Sequence, residues 1–141
     1  MLYYRNLRKY KYETLKDVTV KIRIKPPYNI LTSYCCLSDI GILTIYKGYA
    51  WDGASGPTWD DKTNKGSSLV HDVLYQLIRE GYLCGSDREE ADKELRDISI
   101  KNGMNRFRAW YWYQAVRRFA RFAARKTYEP QDKVCTAPLE L

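Results

Sequence analysis

The residues best suited to chemistry are one histidine and one aspartate on two neighbouring amphipathic segments. His71, the only histidine in the chain, lies at the edge of the apolar face of a predicted helix, where partial burial can tune an imidazole as a base. Asp92 borders the apolar face of the next predicted helix, where a carboxylate needs a partner. If these helices pair antiparallel, Asp92 meets the His71 ring, fixes its tautomer and leaves the other nitrogen free as a base. The alternative is an ordinary histidine at the boundary of the core.

Three further positions extend this candidate site. Tyr75 follows His71 by one helical turn and can donate to the same carboxylate. Asp72 is adjacent to the histidine, and Asp52 and Gly53 stand together in a long segment before the helix. Carboxylates and exposed carbonyls are the hard oxygen ligands that calcium prefers, so Asp72, Asp52 and Gly53 predict a calcium site. Taken alone, the Asp52–Gly53 pair is more typical of a plain turn.

Three helices are predicted to position these groups. The first spans about residues 67–80, and Gly81 can end it. The second spans about residues 86–102 and opens with Ser86, whose spacing to Glu89 is that of a capping box. The third spans about residues 105–126. The first two carry apolar stripes at helical spacing, and these stripes predict their pairing.

The first fifty residues are predicted to form a small antiparallel sheet. Residues 18–24 alternate apolar and polar side chains, which is typical of a half-buried strand. Residues 42–46 form a second strand, which residues 49–51 continue. The fold class is therefore α+β: a small N-terminal antiparallel sheet followed by a core of three helices with an antiparallel helix pair.

The length of 141 residues fits a single domain. We divide it into a β-rich part (1–50), a loop (51–66), a helical core (67–126) and a tail (127–141). No stretch approaches the roughly 20 apolar residues of a membrane span, and the first residues lack the apolar core of a signal peptide. We therefore expect retention in a cytoplasm, with all cysteines as free thiols: Cys35, Cys36, Cys84 and Cys135.

The net charge of +7 originates in the predicted third helix, because the rest of the chain holds equal numbers of basic and acidic residues. Phe107, Trp110 and Tyr111 repeat at helical spacing there, which predicts that they face the core. The predicted binding residues of the basic face are Arg117, Arg118, Arg121 and Arg125. Their partner stays open among anionic lipid head groups, the phosphates of nucleic acid and the acids of a neighbouring protein.

The segment His71-Asp72-Val73-Leu74-Tyr75 resembles the His-Asp-x-x-Tyr helix of the phospholipase A2 superfamily. The loop sequence Trp51-Asp52-Gly53-Ala54-Ser55-Gly56-Pro57 is similar to the calcium loop of the short bacterial members, and the 21-residue spacing from His71 to Asp92 is similar to theirs. The resemblance implies that His71 activates a water molecule and Asp72 binds calcium. It also implies that Tyr75 supports Asp92, which orients the histidine.

One feature of the secreted phospholipases is missing. Their calcium loop is tied to the catalytic helix by a disulfide, and the matching positions here are Ala54 and Ser68. Both halves are absent together, as expected for a cytoplasmic protein.

The whole chain resembles more closely a family of uncharacterised phage and prophage proteins, a domain-of-unknown-function family. Its members share an Asp-Gly-Ala-Ser-x-Pro loop, a His-Asp-x-x-Tyr helix, an Ala-Asp helix and an Ala-Val-Arg helix. The resemblance covers about residues 40–122.

Two functions follow as hypotheses. The first is calcium-dependent hydrolysis of phospholipid esters by a phage or prophage protein, at a phospholipid membrane surface. The alternative is a non-enzymatic virion component of the tail, neck or capsid, whose basic helix binds a protein partner, lipid or nucleic acid. Either protein is expected in the cytoplasm of the bacterial host during synthesis, and the second in the virion thereafter.

Overall fold

The computed structural model describes residues 2–6, 12–54 and 59–127, and of residues 119–127 only the helical backbone. The described chain forms two compact units. The N-terminal unit reaches Asp52, and the helical unit begins at Gly53. Of the predicted tail, residues 128–141 lie outside the described residues.

The N-terminal unit consists of short antiparallel strands in two sheets. Within the described residues the strands are β1 (Tyr4–Asn6), β2 (Tyr12–Thr14), β3 (Val18–Lys21), β4 (Ile30–Leu31), β5 (Cys35–Leu37), β6 (Ile42–Ile45) and β7 (Ala50–Trp51). A three-stranded sheet has the order β1-β2-β7, and a four-stranded sheet has the order β3-β6-β5-β4.

The strongest predicted strand is present but shorter than expected. β3 pairs with β6 from Val18 opposite Ile45 to Lys21 opposite Ile42. Just beyond this pair, Ile22 N–H donates to the carbonyl of Gly41 at 2.8 Å. Gly41 has φ +85°, and a Cβ at this position would lie 2.5 Å from the Ile22 carbonyl oxygen, so the turn requires glycine.

The segment after β6 differs from the prediction. Residues 49–51 do not continue β6, because β7 belongs to the other sheet and pairs with β2. The chain changes sheet through a turn that contains Gly48. Tyr12 and Trp51 are register partners across β2 and β7, and their ring centroids lie 5.4 Å apart.

The helical unit contains α1 (Lys65–Arg79), α2 (Arg88–Lys101) and α3 (Arg106–Thr127). All three match the predicted helices within about two residues, although the predicted capping box of Ser86 and Glu89 is absent. A 3₁₀ turn, Gly85–Asp87, precedes α2 instead. Its box joins Cys84 and Asp87, and the Asp87 carboxylate accepts the Cys84 N–H at 3.1 Å.

The predicted antiparallel pairing of α1 and α2 is confirmed. The Ser99 hydroxyl donates to the Ser67 hydroxyl at 2.7 Å, and a Cβ added at Gly66 would lie 3.7 Å from Asn102. These small residues let the two backbones approach closely. The apolar side chains buried in the pair include Leu69, Val73, Leu74 and Leu77 of α1 and Ala91 and Leu95 of α2.

The predicted inward face of α3 is wrong. Phe107, Trp110 and Tyr111 are exposed. A second row, Ala109, Trp112 and Val116, packs on Leu95 and Met104 instead. Both sets of side chains have helical spacing. The set with the smaller side chains, Ala109 and Val116 on either side of Trp112, is the one that packs against α2.

The cysteines are only partly as expected. Cys35 and Cys36 are free, but Cys84 is disulfide-bonded. The expectation of free thiols is therefore wrong at Cys84, and disulfide pairing is not readable from cysteine spacing alone. Cys135 lies outside the described residues. Within the described part of the chain, no helix has the length and apolar character needed to cross a membrane.

Candidate functional site

Helices α1 and α2 bring the predicted histidine and carboxylate together. His71 Nε2 lies 2.7 Å from Asp92 Oδ1. Tyr75, one turn further along α1, donates its hydroxyl to the same oxygen at 2.7 Å. The predicted contact of His71 with Asp92 is therefore present, and His71 and Asp92 are both buried.

Arg117 of α3 completes the cluster. Its guanidinium donates to Asp92 Oδ2 at 2.8 Å, so one buried carboxylate accepts hydrogen bonds from three side chains. An ionised carboxylate without exposure to water needs a cationic partner, and neither a phenol nor a neutral imidazole supplies one. The burial of Asp92 was thus the signal that an arginine had to reach it.

The four arginines predicted as a binding face do not act alike. Arg117 is instead turned towards Asp92 as its ion-pair partner. Arg118 is exposed. The side chains of Arg121 and Arg125 lie outside the described residues. Binding of a partner by this face stays a prediction.

The two carboxylates beside His71 raise the pKa of its imidazole. Burial acts to lower the pKa of His71, but the carboxylates of Asp72 and Asp92 outweigh it and raise the pKa above its ordinary value. Burial and the Asp92 charge raise the pKa of Tyr75, so its hydroxyl stays protonated and donates. Asp92 therefore holds an imidazolium more readily than water would.

The two ring nitrogens of His71 have different neighbours. Nε2 donates to Asp92, which leaves Nδ1 with the lone pair in the neutral ring. Nδ1 lies 3.9 Å from Asp72 Oδ1, which is too long for a hydrogen bond. Nδ1 is therefore the atom that can accept a proton, and a partly exposed carboxylate lies beside it.

The residues predicted to bind calcium fall in both units. Asp52 ends the N-terminal unit, whereas Gly53 and Asp72 belong to the helical unit. Gly53 has φ +83°, a conformation that favours glycine. Among the described residues, no group of three or more histidine, cysteine, aspartate or glutamate side chains is arranged to hold a metal ion. Residues 55–58 of the loop lie outside the described residues.

A second ion pair, absent from the sequence-based predictions, ties the segment before α1 to α3. Arg108 donates to Asp61 Oδ2 at 2.6 Å and to the carbonyl of Trp59 at 2.9 Å. Its guanidinium carbon lies 4.1 Å from the centre of the Trp59 ring. We call Trp59, Asp61 and Arg108 the loop clamp. It fixes the approach to α1.

Asp61 is held as an ion by this arrangement. Burial acts to raise its pKa, but hydrogen bonds from Thr63 and Arg108 prevail and lower the pKa to about 2. Asp60 adds a further tie, because its carboxylate accepts the Ala54 N–H at 2.7 Å. The residues on either side of 55–58 are thus held by side chains, Ala54 by Asp60 and Trp59 by Arg108.

Comparison with known proteins identifies a family but no activity. One family model matches residues 28–116, and its description is "Protein of unknown function (DUF1353)". The match contains His71, Tyr75 and Asp92 and ends one residue before Arg117. No curated protein and no solved structure matches the chain. The predicted membership of a domain-of-unknown-function family is confirmed, while a phage origin and a phospholipase A2 relationship stay predictions.

Proposed function

The chain belongs to the DUF1353 family of proteins of unknown function, and we propose that it is a phage or prophage hydrolase that cleaves phospholipid esters in the manner of phospholipase A2. The observation that carries the proposal is the Asp92 carboxylate, 2.7 Å from His71 Nε2. A carboxylate in this position orients an imidazole and leaves Nδ1 available as a general base.

In the proposed reaction, Nδ1 of His71 takes a proton from a water molecule. The water oxygen bonds to the ester carbonyl carbon, and Asp92 stabilises the resulting imidazolium. The bond to the leaving oxygen then breaks, and the imidazolium returns its proton to that oxygen. Tyr75 and Arg117 hold Asp92 still, so that the ring keeps one orientation throughout.

Calcium is the proposed cofactor, because the candidate ligands are oxygen donors. Asp72 presents a partly exposed carboxylate beside Nδ1, and carboxylate and carbonyl oxygens are what calcium binds. Asp72 and the carbonyl of Gly53, both in the helical unit, would hold the ion. When bound, it would attract the lipid phosphate and the developing oxyanion.

The test combines two measurements on the full chain. Calcium binding is measured by titration calorimetry at millimolar metal, and fatty-acid release is measured with mixed phospholipid vesicles. We expect His71→Asn to bind calcium but to lose activity by roughly 10²–10⁴-fold. Asp72→Asn should lose both, and Arg79→Gln, an exposed change on the same helix, should lose neither. Absence of calcium binding or of fatty-acid release by the wild type would refute the proposal.

A non-enzymatic virion component is the second candidate, and one observation favours it. The Asp92 carboxylate is completely buried and both of its oxygens accept hydrogen bonds, from three donors in all, which is also how a purely structural polar core is held. On this alternative, the protein would be synthesised in the bacterial cytoplasm and packaged in the particle. Mass spectrometry of purified virions tests it, and absence of the chain from them would exclude it.

A further inference from the structure

The outward face of α3 carries three aromatic side chains that the helical unit leaves uncovered. Phe107, Trp110 and Tyr111 are 72%, 52% and 50% exposed. Their spacing of three and four residues places them on one side of the helix. The Phe107 and Trp110 ring centroids lie 6.1 Å apart, so these two rings form a continuous apolar surface. We call Phe107, Trp110 and Tyr111 the aromatic face.

The surroundings of the aromatic face are basic. Arg118 follows Tyr111 by two turns on the same side and is exposed, and Arg106 is exposed at the start of the helix. Residues 105–126 contain no acid. Arg108 and Arg117 pair with Asp61 and Asp92. Arg106 and Arg118 add exposed positive charge to the helix that carries the rings.

We infer that the aromatic face docks on an anionic phospholipid surface. Tryptophan and tyrosine favour the boundary between head groups and acyl chains, and a helix with an apolar face and basic residues lies in that boundary. Rings packed against each other suit this continuous environment better than the separate stacking of bases from a nucleic acid. The inference deepens the proposed function by naming the surface that brings the enzyme to its substrate.

Vesicle flotation of the full chain tests this inference. The probes are vesicles of phosphatidylcholine alone and of phosphatidylcholine mixed with phosphatidylglycerol. We expect the double variant Phe107→Gln, Trp110→Gln to lower binding at least about tenfold, because full burial of one such side chain already accounts for a tenfold step. Arg118→Gln should lower binding about fivefold, only on the anionic vesicles.

Two controls keep the result specific. Leu31→Gln removes an equally exposed apolar side chain, 74% exposed, from the N-terminal unit and should bind as the wild type does. Because the aromatic face is exposed, its variants should retain their circular dichroism spectra. Equal binding by the double variant and the wild type, or equal loss in Leu31→Gln, would overturn the inference. Tighter binding of the wild type to a single-stranded oligonucleotide than to anionic vesicles would also overturn it.

The docking surface and the catalytic proposal fail in different ways. His71→Asn should float with vesicles as the wild type does. Vesicle binding without fatty-acid release by the wild type would refute the hydrolase and support the docking surface. Fatty-acid release with full binding by the double variant would support the hydrolase and refute the docking surface.

Discussion

Two arginines of α3 make the same kind of ion pair with different consequences. Arg108 and Arg117 have similar side-chain exposure, 20% and 24%. Their partners differ, because Asp61 is 30% exposed and Asp92 is 0% exposed. Water can reach the first carboxylate if its arginine is removed, but it cannot reach the second. The comparison shows that the burial of the carboxylate distinguishes the loop clamp from the candidate site.

The same substitution at both positions should therefore have unequal effects, and this is the largest difference that we expect. Arg117→Gln leaves a buried carboxylate without a cation and should lower the free energy of unfolding by about 3–5 kcal/mol. Arg108→Gln should lower it by about 1 kcal/mol or less. Urea unfolding measures both. Equal losses would mean that the exposure of Asp61 does not matter.

Tyr75→Phe should have a smaller effect than Arg117→Gln at the same carboxylate. It removes one of three donors to Asp92 and leaves the charge of Arg117 in place. A hydrogen bond to a charged group contributes about 1.5–3 kcal/mol to stability. In urea unfolding, we expect Tyr75→Phe to lower the free energy of unfolding by an amount at the lower end of this range. A loss as large as that of Arg117→Gln would show that the number of donors, and not the compensating charge, stabilises Asp92.

The pKa of His71 should distinguish the two arginines again. Removing Arg117 leaves a more negative field at the ring, so the pKa of His71 should rise further, whereas Arg108→Gln should not change it. Because the pKa of His71 is raised in the folded state, protonation of its imidazole stabilises the fold. This stabilisation is present at low pH and is lost as the pH rises through the pKa of the folded state. The chain has one histidine, so its NMR titration needs no assignment. A lower pKa in Arg117→Gln would contradict the expected sign.

The loop clamp should make stability depend on pH in the opposite direction from His71. The pKa of Asp61 is lowered from 3.8 to about 2, so the stabilisation that it provides is present above 3.8 and is lost as the pH falls towards 2. Exposure to water makes this the smallest effect. Unfolding measured across this pH range should show a shallower dependence in Asp61→Asn than in the wild type. Parallel curves would show that Asp61 is not held as an ion.

Much of the helical unit was predictable from local pattern. The apolar stripes of α1 and α2 specify their pairing, and that pairing places His71 against Asp92. The inward face of α3 was not predictable, because two rows of apolar side chains compete and only packing against Leu95 and Met104 selects one. Arg117 was predicted as a surface binding residue, and its ion pair with Asp92 was not predicted, because the sequence alone does not show that Asp92 is completely buried.

The N-terminal unit was less predictable. The alternation that marks β3 is visible in the sequence, but strands of two or three residues such as β4 and β5 carry too few side chains to show a period. Hydrogen bonds to neighbouring strands define them, since β5 pairs with both β4 and β6. The loop clamp was equally invisible, because Arg108 and Asp61 lie 47 residues apart.

The hydroxyl contact between Ser67 and Ser99 has a consequence for how this protein can change. It lies one turn from His71 on α1 and two turns from Asp92 on α2, so it fixes the local gap between the two backbones. A bulkier side chain at either serine would push α1 and α2 apart and separate the imidazole of His71 from the carboxylate of Asp92, although both residues would remain in the sequence. The distance between His71 and Asp92 therefore depends on two small side chains that lie outside the cluster.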